Sequence, residues 1–204
     1  NVTEFEKNYS KLNGINYTVG VGSGLDALII SLKALNISKD DEVIVASNAY
    51  IASWLAITSV GAKIIPVEPD LRTFNLDANK IEEKITSKTK AIMPVHLYGQ
   101  PCEMDKIMAI ANKYNLYVVE DNAQAHLAKY NNQITGSFGN INATSFYPTK
   151  NIGAIGEAGC ITTQNLRLSE FATKYRNYGS SEKHFCDIVG SNSRLDELQA
   201  AILN

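Results

Sequence analysis

Between Tyr17 and Tyr114, short apolar, β-prone runs alternate with helical patterns. That alternation limits the fold more than any other feature of the chain. Tyr17–Val21 (YTVGV) leads through Gly22-Ser23-Gly24 into a stretch where Leu25, Leu28, Ile29, Leu32 and Leu35 recur at helical spacing. Glu42–Ala46 (EVIVA) is followed by Tyr50 and a helical segment over 51–60. Lys63–Val67 (KIIPV) precedes a polar helix expected over 77–85. Lys90–Val95 (KAIMPV) ends at His96 and precedes Met104, Ile107, Met108, Ala111 and Tyr114, again at helical spacing. Strands alternating with helices mean βαβ units, hence an α/β domain whose mostly parallel sheet is flanked by helices on both faces.

Further runs extend the sheet. Leu116–Val119 (LYVV) enters Glu120-Asp121-Asn122-Ala123-Gln124-Ala125-His126, and 141–146 precedes the turn that carries Lys150. Cys160–Thr163 (CITT) is expected as a strand that is antiparallel or at an edge. Helices are expected over 166–178 and from Arg194, with a polar loop over 179–193 between them.

In such sheets ligands bind at the carboxyl ends of the strands. The Gly22 turn, Tyr50, His96, Asp121 and Lys150 each follow a predicted strand, so one rim gathers them. A small-residue turn opening a helix suits an anion, most often a phosphate. A lysine on a turn leaving a buried strand can reach a pocket, where desolvation favours its neutral, nucleophilic amine. No Ser-His-Asp arrangement with a nucleophile elbow and no His/Cys/Asp metal cluster competes with this set. A lysine, an acid after a buried strand, an aromatic, a hydroxyl (Ser145) and a phosphate turn are what pyridoxal phosphate requires.

Charge and composition narrow the partners. A net charge of −2 with interspersed signs argues against a nucleic-acid or membrane surface. Cys102, Cys160 and Cys186 are odd in number and widely spaced, which fits a reducing, cytoplasmic setting better than a disulfide framework or a zinc site. The polar opening without Met, and a close inside the pattern Leu195, Leu198, Ile202, lead to the expectation of an internal fragment.

The runs VGVGSGLDAL, DEVIVASNAYIASWLA, TKAIMPVHLYGQP, VVEDNAQAH, SFYPTKNIGAIGEAG and GSNSRLDELQAA resemble the DegT/StrS-type nucleotide-sugar aminotransferases, in order and nearly throughout. The resemblance implies the fold of aspartate aminotransferase (fold type I). Residues 1–204 would be most of its large cofactor-binding domain, without the leader and the small C-terminal domain. It implies that Lys150 forms the Schiff base with pyridoxal phosphate and shuttles a proton between substrate and cofactor. Asp121 would pair with the pyridinium nitrogen, Gln124 would lie beside the 3-hydroxyl, and Tyr50 would stack on the ring. Ser145 and the amides of Gly24 and Leu25 would hold the phosphate, with Leu25 standing where many relatives have threonine. Asn192 and Arg194 match a loop that reaches a neighbouring subunit, which implies a homodimer with shared sites. His96 and His126 flank the site by position and, with Tyr147, are expected to touch substrate. Leu127 stands where relatives usually carry glycine, which puts the local backbone in question.

The Leu25 form, with Tyr50-Ile51-Ala52-Ser53-Trp54, is most similar to the branch that aminates C3 of dTDP-linked 3-keto-6-deoxyhexoses with glutamate, in deoxyamino-sugar and glycan biosynthesis. A 4-ketosugar aminotransferase of the same family is the alternative. A cofactor-binding regulator without turnover is another. Sugar dehydratases related to the family carry histidine at the lysine position, and Lys150 argues against that reading.

Overall fold

The computed structural model describes residues 1–182 and 185–204. A seven-stranded sheet runs through its centre. Its strands are β1 (Tyr17–Val21), β2 (Glu42–Ala46), β3 (Lys63–Val67), β4 (Thr89–Met93), β5 (Tyr117–Asp121), β8 (Ile141–Ser145) and β9 (Gly159–Thr163), in the spatial order β1-β9-β8-β5-β4-β2-β3. The β3/β2, β2/β4, β4/β5 and β5/β8 pairs are parallel. Only β9 runs the other way, antiparallel to both β8 and β1, so it lies inside the sheet and β1 forms the edge.

Both faces of the sheet are covered, as the unbroken apolar runs require. On β2, Val43 and Val45 belong to one core and Ile44 and Ala46 to the other, the period-two alternation of a strand. The first core is closed by α2 (Gly24–Ala34), α3 (Ile51–Ser59) and α5 (Leu166–Tyr175), the second by α4 (Met104–Tyr114). The expected polar helix over 77–85 is instead two short 3-10 turns, Ala78–Lys80 and Glu82–Lys84. Asp77 caps the first by accepting Asn79 N–H, and Ile81 turns inward between them, fully buried. The buried side chains of the two turns, Ala78 and Ile81, cover too little apolar surface to anchor the three turns of a longer helix.

A third core has no counterpart in the sequence reading. Helix α1 (Val2–Asn13) packs Phe5 and Tyr9 edge-on against Phe146, at centroid distances of 5.4 Å for each pair. Leu195 and Ala200, the latter on α6 (Glu197–Leu203), complete that cluster. Phe146 immediately follows β8, so α1 supports the turn that carries Lys150 from behind. At the sheet edge, Glu6 of α1 accepts Gly20 N–H of β1 at 2.8 Å and Arg176 donates to Gly20 C=O. Two small hairpins complete the chain, β6/β7 (Lys129–Tyr130 with Gln133–Ile134) and β10/β11 (Ser180–Glu182 with Phe185–Cys186). The second lies in the expected polar loop, of which residues 183 and 184 fall outside the described part. Among the described residues, no helix is long and apolar enough to cross a membrane.

Candidate active site

The β1–α2 turn builds an anion cradle. Ser23 caps α2, its hydroxyl accepting Asp26 N–H at 3.1 Å and its carbonyl accepting Ala27 N–H. The amides of Gly24 and Leu25 have no partner among the described residues and lie in the first turn, where helix donors are free for an anion. A Cβ on Gly24 would stand 2.6 Å from Ser145 Cβ, so only glycine lets this turn approach the end of β8. Ser145 accepts Tyr147 N–H at 3.3 Å and keeps its hydroxyl proton for another acceptor. From below, a Cβ on Gly159 would meet the Ser23 carbonyl at 2.5 Å, so β9 too requires glycine under the turn.

Adjacent acids of β5 face opposite ways. Asp121 is 4% exposed, and its carboxylate accepts Ser53 O–H at 2.7 Å and Ala123 N–H at 3.1 Å. Glu120 is fully buried and accepts the amides of Gly136, Phe138 and Gly139 together with His96 Nε2 at 2.9 Å. The second nitrogen of His96, Nδ1, accepts Cys102 N–H at 3.1 Å. Both ring nitrogens are therefore committed in a ring of zero exposure. The expectation that His96 touches substrate is corrected: its backbone lies at the rim, bonding Asp121 C=O, while its ring pins the back of β5.

On the rim itself, Lys150, Thr149, Asn151, Gln124 and Tyr98 line one cavity of about 340 Å3. Gln124 Oε1 accepts Tyr98 N–H at 2.8 Å, which leaves the Nε2 hydrogens as its free donors. His126 donates Nε2–H to Ser145 C=O at 2.9 Å, and its ring lies 5.4 Å from that of Phe146. Burial, and then the nearby Lys150 charge, push the His126 pKa down to about 4, so the ring is neutral at pH 7. Its Nδ1 is a buried acceptor without a partner among the described residues. Leu127, whose backbone the resemblance put in question, takes the left-handed conformation, φ +60°.

Tyr50 opens α3 and is 62% exposed, free to present its ring rather than packed in the core. Tyr147 is half-exposed. Asn192 and Arg194 are also exposed, on either side of buried Ser193, and neither lines this cavity. Ser193 donates to Asp26 at 2.8 Å and accepts Gly22 N–H at 3.1 Å, tying the 190s loop to the anion cradle. Arg194 donates to Asn177 at 2.7 Å and lies over the Tyr178 ring. The sequence reading missed Ser53, Ser193 and Tyr98. Only the position of Ser53, one turn into a helix at the rim, could have signalled it.

This donor set fits pyridoxal phosphate. A helix N-terminus with two free amides and a hydroxyl suits the phosphate, and a buried carboxylate at the end of β5 suits a protonated ring nitrogen. A free amide donor, Gln124, and a lysine, Lys150, line one cavity.

Comparison with known proteins agrees. Residues 1–204 match the model of the DegT/DnrJ/EryC1/StrS aminotransferase family. The chain is 55% identical over 203 residues to a dTDP-3-amino-3,6-dideoxy-alpha-D-galactopyranose transaminase of Aneurinibacillus thermoaerophilus, covering 100% of this chain and 56% of that protein. Among solved structures, S. venezuelae DesV in complex with a ketimine intermediate superposes with a TM-score of 0.97 at 45% identity, over 99% of this chain and 54% of DesV. NtdA of Bacillus subtilis, with bound cofactor PMP, superposes with a TM-score of 0.94 at 38% identity, over 99% of this chain and 46% of NtdA. The chain thus spans about half the length of the relatives it matches. Aminotransferases of this family depend on pyridoxal phosphate. By sequence along its whole length and by fold, the chain belongs to the DegT/DnrJ/EryC1/StrS aminotransferase family.

Proposed function

We propose that residues 1–204 form the large cofactor-binding domain of an enzyme that aminates C3 of a dTDP-linked 3-keto-6-deoxyhexose, with glutamate as donor. The observation that supports this reading is the cavity that Lys150 and Gln124 line together, in a sheet whose Asp121 carboxylate and Gly24–Ser145 approach also stand at strand ends. Preference for C3 rests on the 55% identical relative, whose name specifies a 3-amino sugar. Leu25 in place of threonine agrees: its side chain packs against the core, so the backbone supplies the phosphate donors at that position.

Bound there, pyridoxal phosphate supplies a carbon electrophile for amines and a ring that takes up electron density when a C–H bond breaks. Lys150 would be the amine that tethers it, and the same amine would move a proton at the substrate carbon. Asp121, oriented by Ser53 O–H and Ala123 N–H, holds the proton on the ring nitrogen. Gln124 would offer its free Nε2 donors to the cofactor's phenolic oxygen, and the exposed Tyr50 ring would cover the cofactor ring. The amides of Gly24 and Leu25, with Ser145 O–H, hold the phosphate. His126, neutral and bonded to Ser145 C=O, fixes the start of the lysine turn, and with Tyr147 it would lie beside the substrate. Asn192 and Arg194, exposed on this chain, reach the second site of a homodimer. Buried free thiols at Cys102 and Cys160 fit a cytoplasmic enzyme.

The test is the full-length protein with glutamate and either the 3-keto or the 4-keto dTDP-sugar. Glutamate should bleach the visible absorbance of the bound cofactor, and the 3-keto compound should restore it. Lys150→Ala should lose both the native absorbance and turnover. Turnover of the 4-keto sugar alone would overturn the C3 assignment, and retained transamination in Lys150→Ala would overturn the role of the lysine.

A further inference from the structure

Tyr98 is built in a way that neither folding nor burial explains. Its backbone is left-handed, φ +54° and ψ +25°, a conformation that costs a bulky L-residue energy and that glycine adopts without strain. Its side chain is 85% exposed, so no buried area offsets that cost. The strain is nonetheless held from both sides. Gln124 Oε1 accepts Tyr98 N–H at 2.8 Å; Asn75, 3% exposed, accepts Leu97 N–H at 3.1 Å and donates to Gln100 C=O at 2.8 Å. An over-determined, strained residue that displays an aromatic ring in water, on the wall of the cavity that holds Lys150, marks a ligand contact.

We propose that Tyr98 is a specificity-determining residue that stacks against the nucleotide-linked sugar and not against the amino donor. The inference rests on the proposed function. Glutamate is small enough to lie within the cavity, whereas a nucleotide-linked hexose extends past the rim, where the Tyr98 ring stands. A phenyl face contributes through C–H and ring contact, which a pyranose or a base offers and a dicarboxylate does not. The link through Gln124 also fixes the Tyr98 backbone against a residue of the same cavity.

The test separates the two half-reactions in the full-length enzyme. In Tyr98→Ala, bleaching by glutamate should stay within about twofold of wild type, while KM for the ketosugar rises at least about tenfold. Tyr98→Phe, which keeps the ring face, should retain a KM near wild type. The inhibition constant of dTDP then distinguishes the partner: a parallel rise assigns the contact to the base, and an unchanged value assigns it to the hexose. An unchanged ketosugar KM in Tyr98→Ala, equal losses in both half-reactions, or a Tyr98→Phe variant as weak as Tyr98→Ala would each overturn the proposal. Failure of wild type itself to bleach with glutamate would count against the proposed function instead.

Discussion

Leu127 and His126 are neighbours with opposite thermodynamic consequences. At φ +60°, Leu127 carries the cost of a left-handed L-residue, of order 1 kcal/mol, with its side chain 39% exposed. Leu127→Gly should therefore raise the unfolding midpoint by about 2 °C, read by a thermal melt, even though glycine also loosens the unfolded chain. His126 works in the other direction. Its pKa is near 4 in the folded protein against an ordinary 6.5, so the unfolded chain takes up a proton first as pH falls. Stability from this group is complete above pH 6.5 and is lost on acidification toward pH 4, by roughly 3 kcal/mol. His126→Gln keeps an N–H for Ser145 C=O and should flatten that part of the pH–stability curve in urea titrations. The missing glycine was visible in the resemblance alone. The neutral imidazole was not, because its burial against Phe146 depends on a strand 20 residues away.

The elements show most clearly what the chain announces and what it withholds. Strands β1 to β5 were legible as short apolar runs, largely buried on both faces in β1, β2, β4 and β5 and only partly buried in the edge strand β3. Helix α1 was not, because its buried residues Phe5, Tyr9 and Asn13 form a narrow stripe in polar text. The 3-10 turns at 78–84 show a helical composition without enough inward apolar positions to hold a helix. Strand β5 gives the sharpest test. Glu120 and Asp121 look alike in the run VVEDNAQAH, yet the pleat sends one to the back of the sheet and the other to the site. Glu120→Ala would leave three buried amides and the His96 ring without their acceptor, a loss of at least about 3–5 kcal/mol measurable by denaturant titration. Asp121→Asn should fold normally and bind the phosphate, but lower the rate of the glutamate half-reaction at least about 100-fold in stopped-flow absorbance. Position after a strand put Lys150 beside Gln124 on one cavity and the Asp121 carboxylate at the end of β5, but it placed His96 on the wrong side. A residue's place in the rim does not fix where its ring turns.

Across the whole molecule, the exposed Asn192 and Arg194 bear on assembly. If they complete the neighbouring subunit's site, an Arg194→Ala variant and a Lys150→Ala variant, each impaired alone, should complement when mixed. Random exchange of subunits would restore about a quarter of wild-type activity, from one intact site in each mixed dimer. No recovery after demonstrated exchange would mean that each site is complete within one chain. The sheet itself joins distant parts of the sequence. Tyr17 pairs with Thr163, and Gly24 meets Ser145. During synthesis, then, the first strand emerges with no partner. At ordinary translation speeds it waits roughly 7–30 s for the strand that covers its inner edge. The phosphate seat, assembled from both ends of that interval, comes into being only when most of these residues have left the ribosome. Vitamin capture is therefore a late event in the making of this domain.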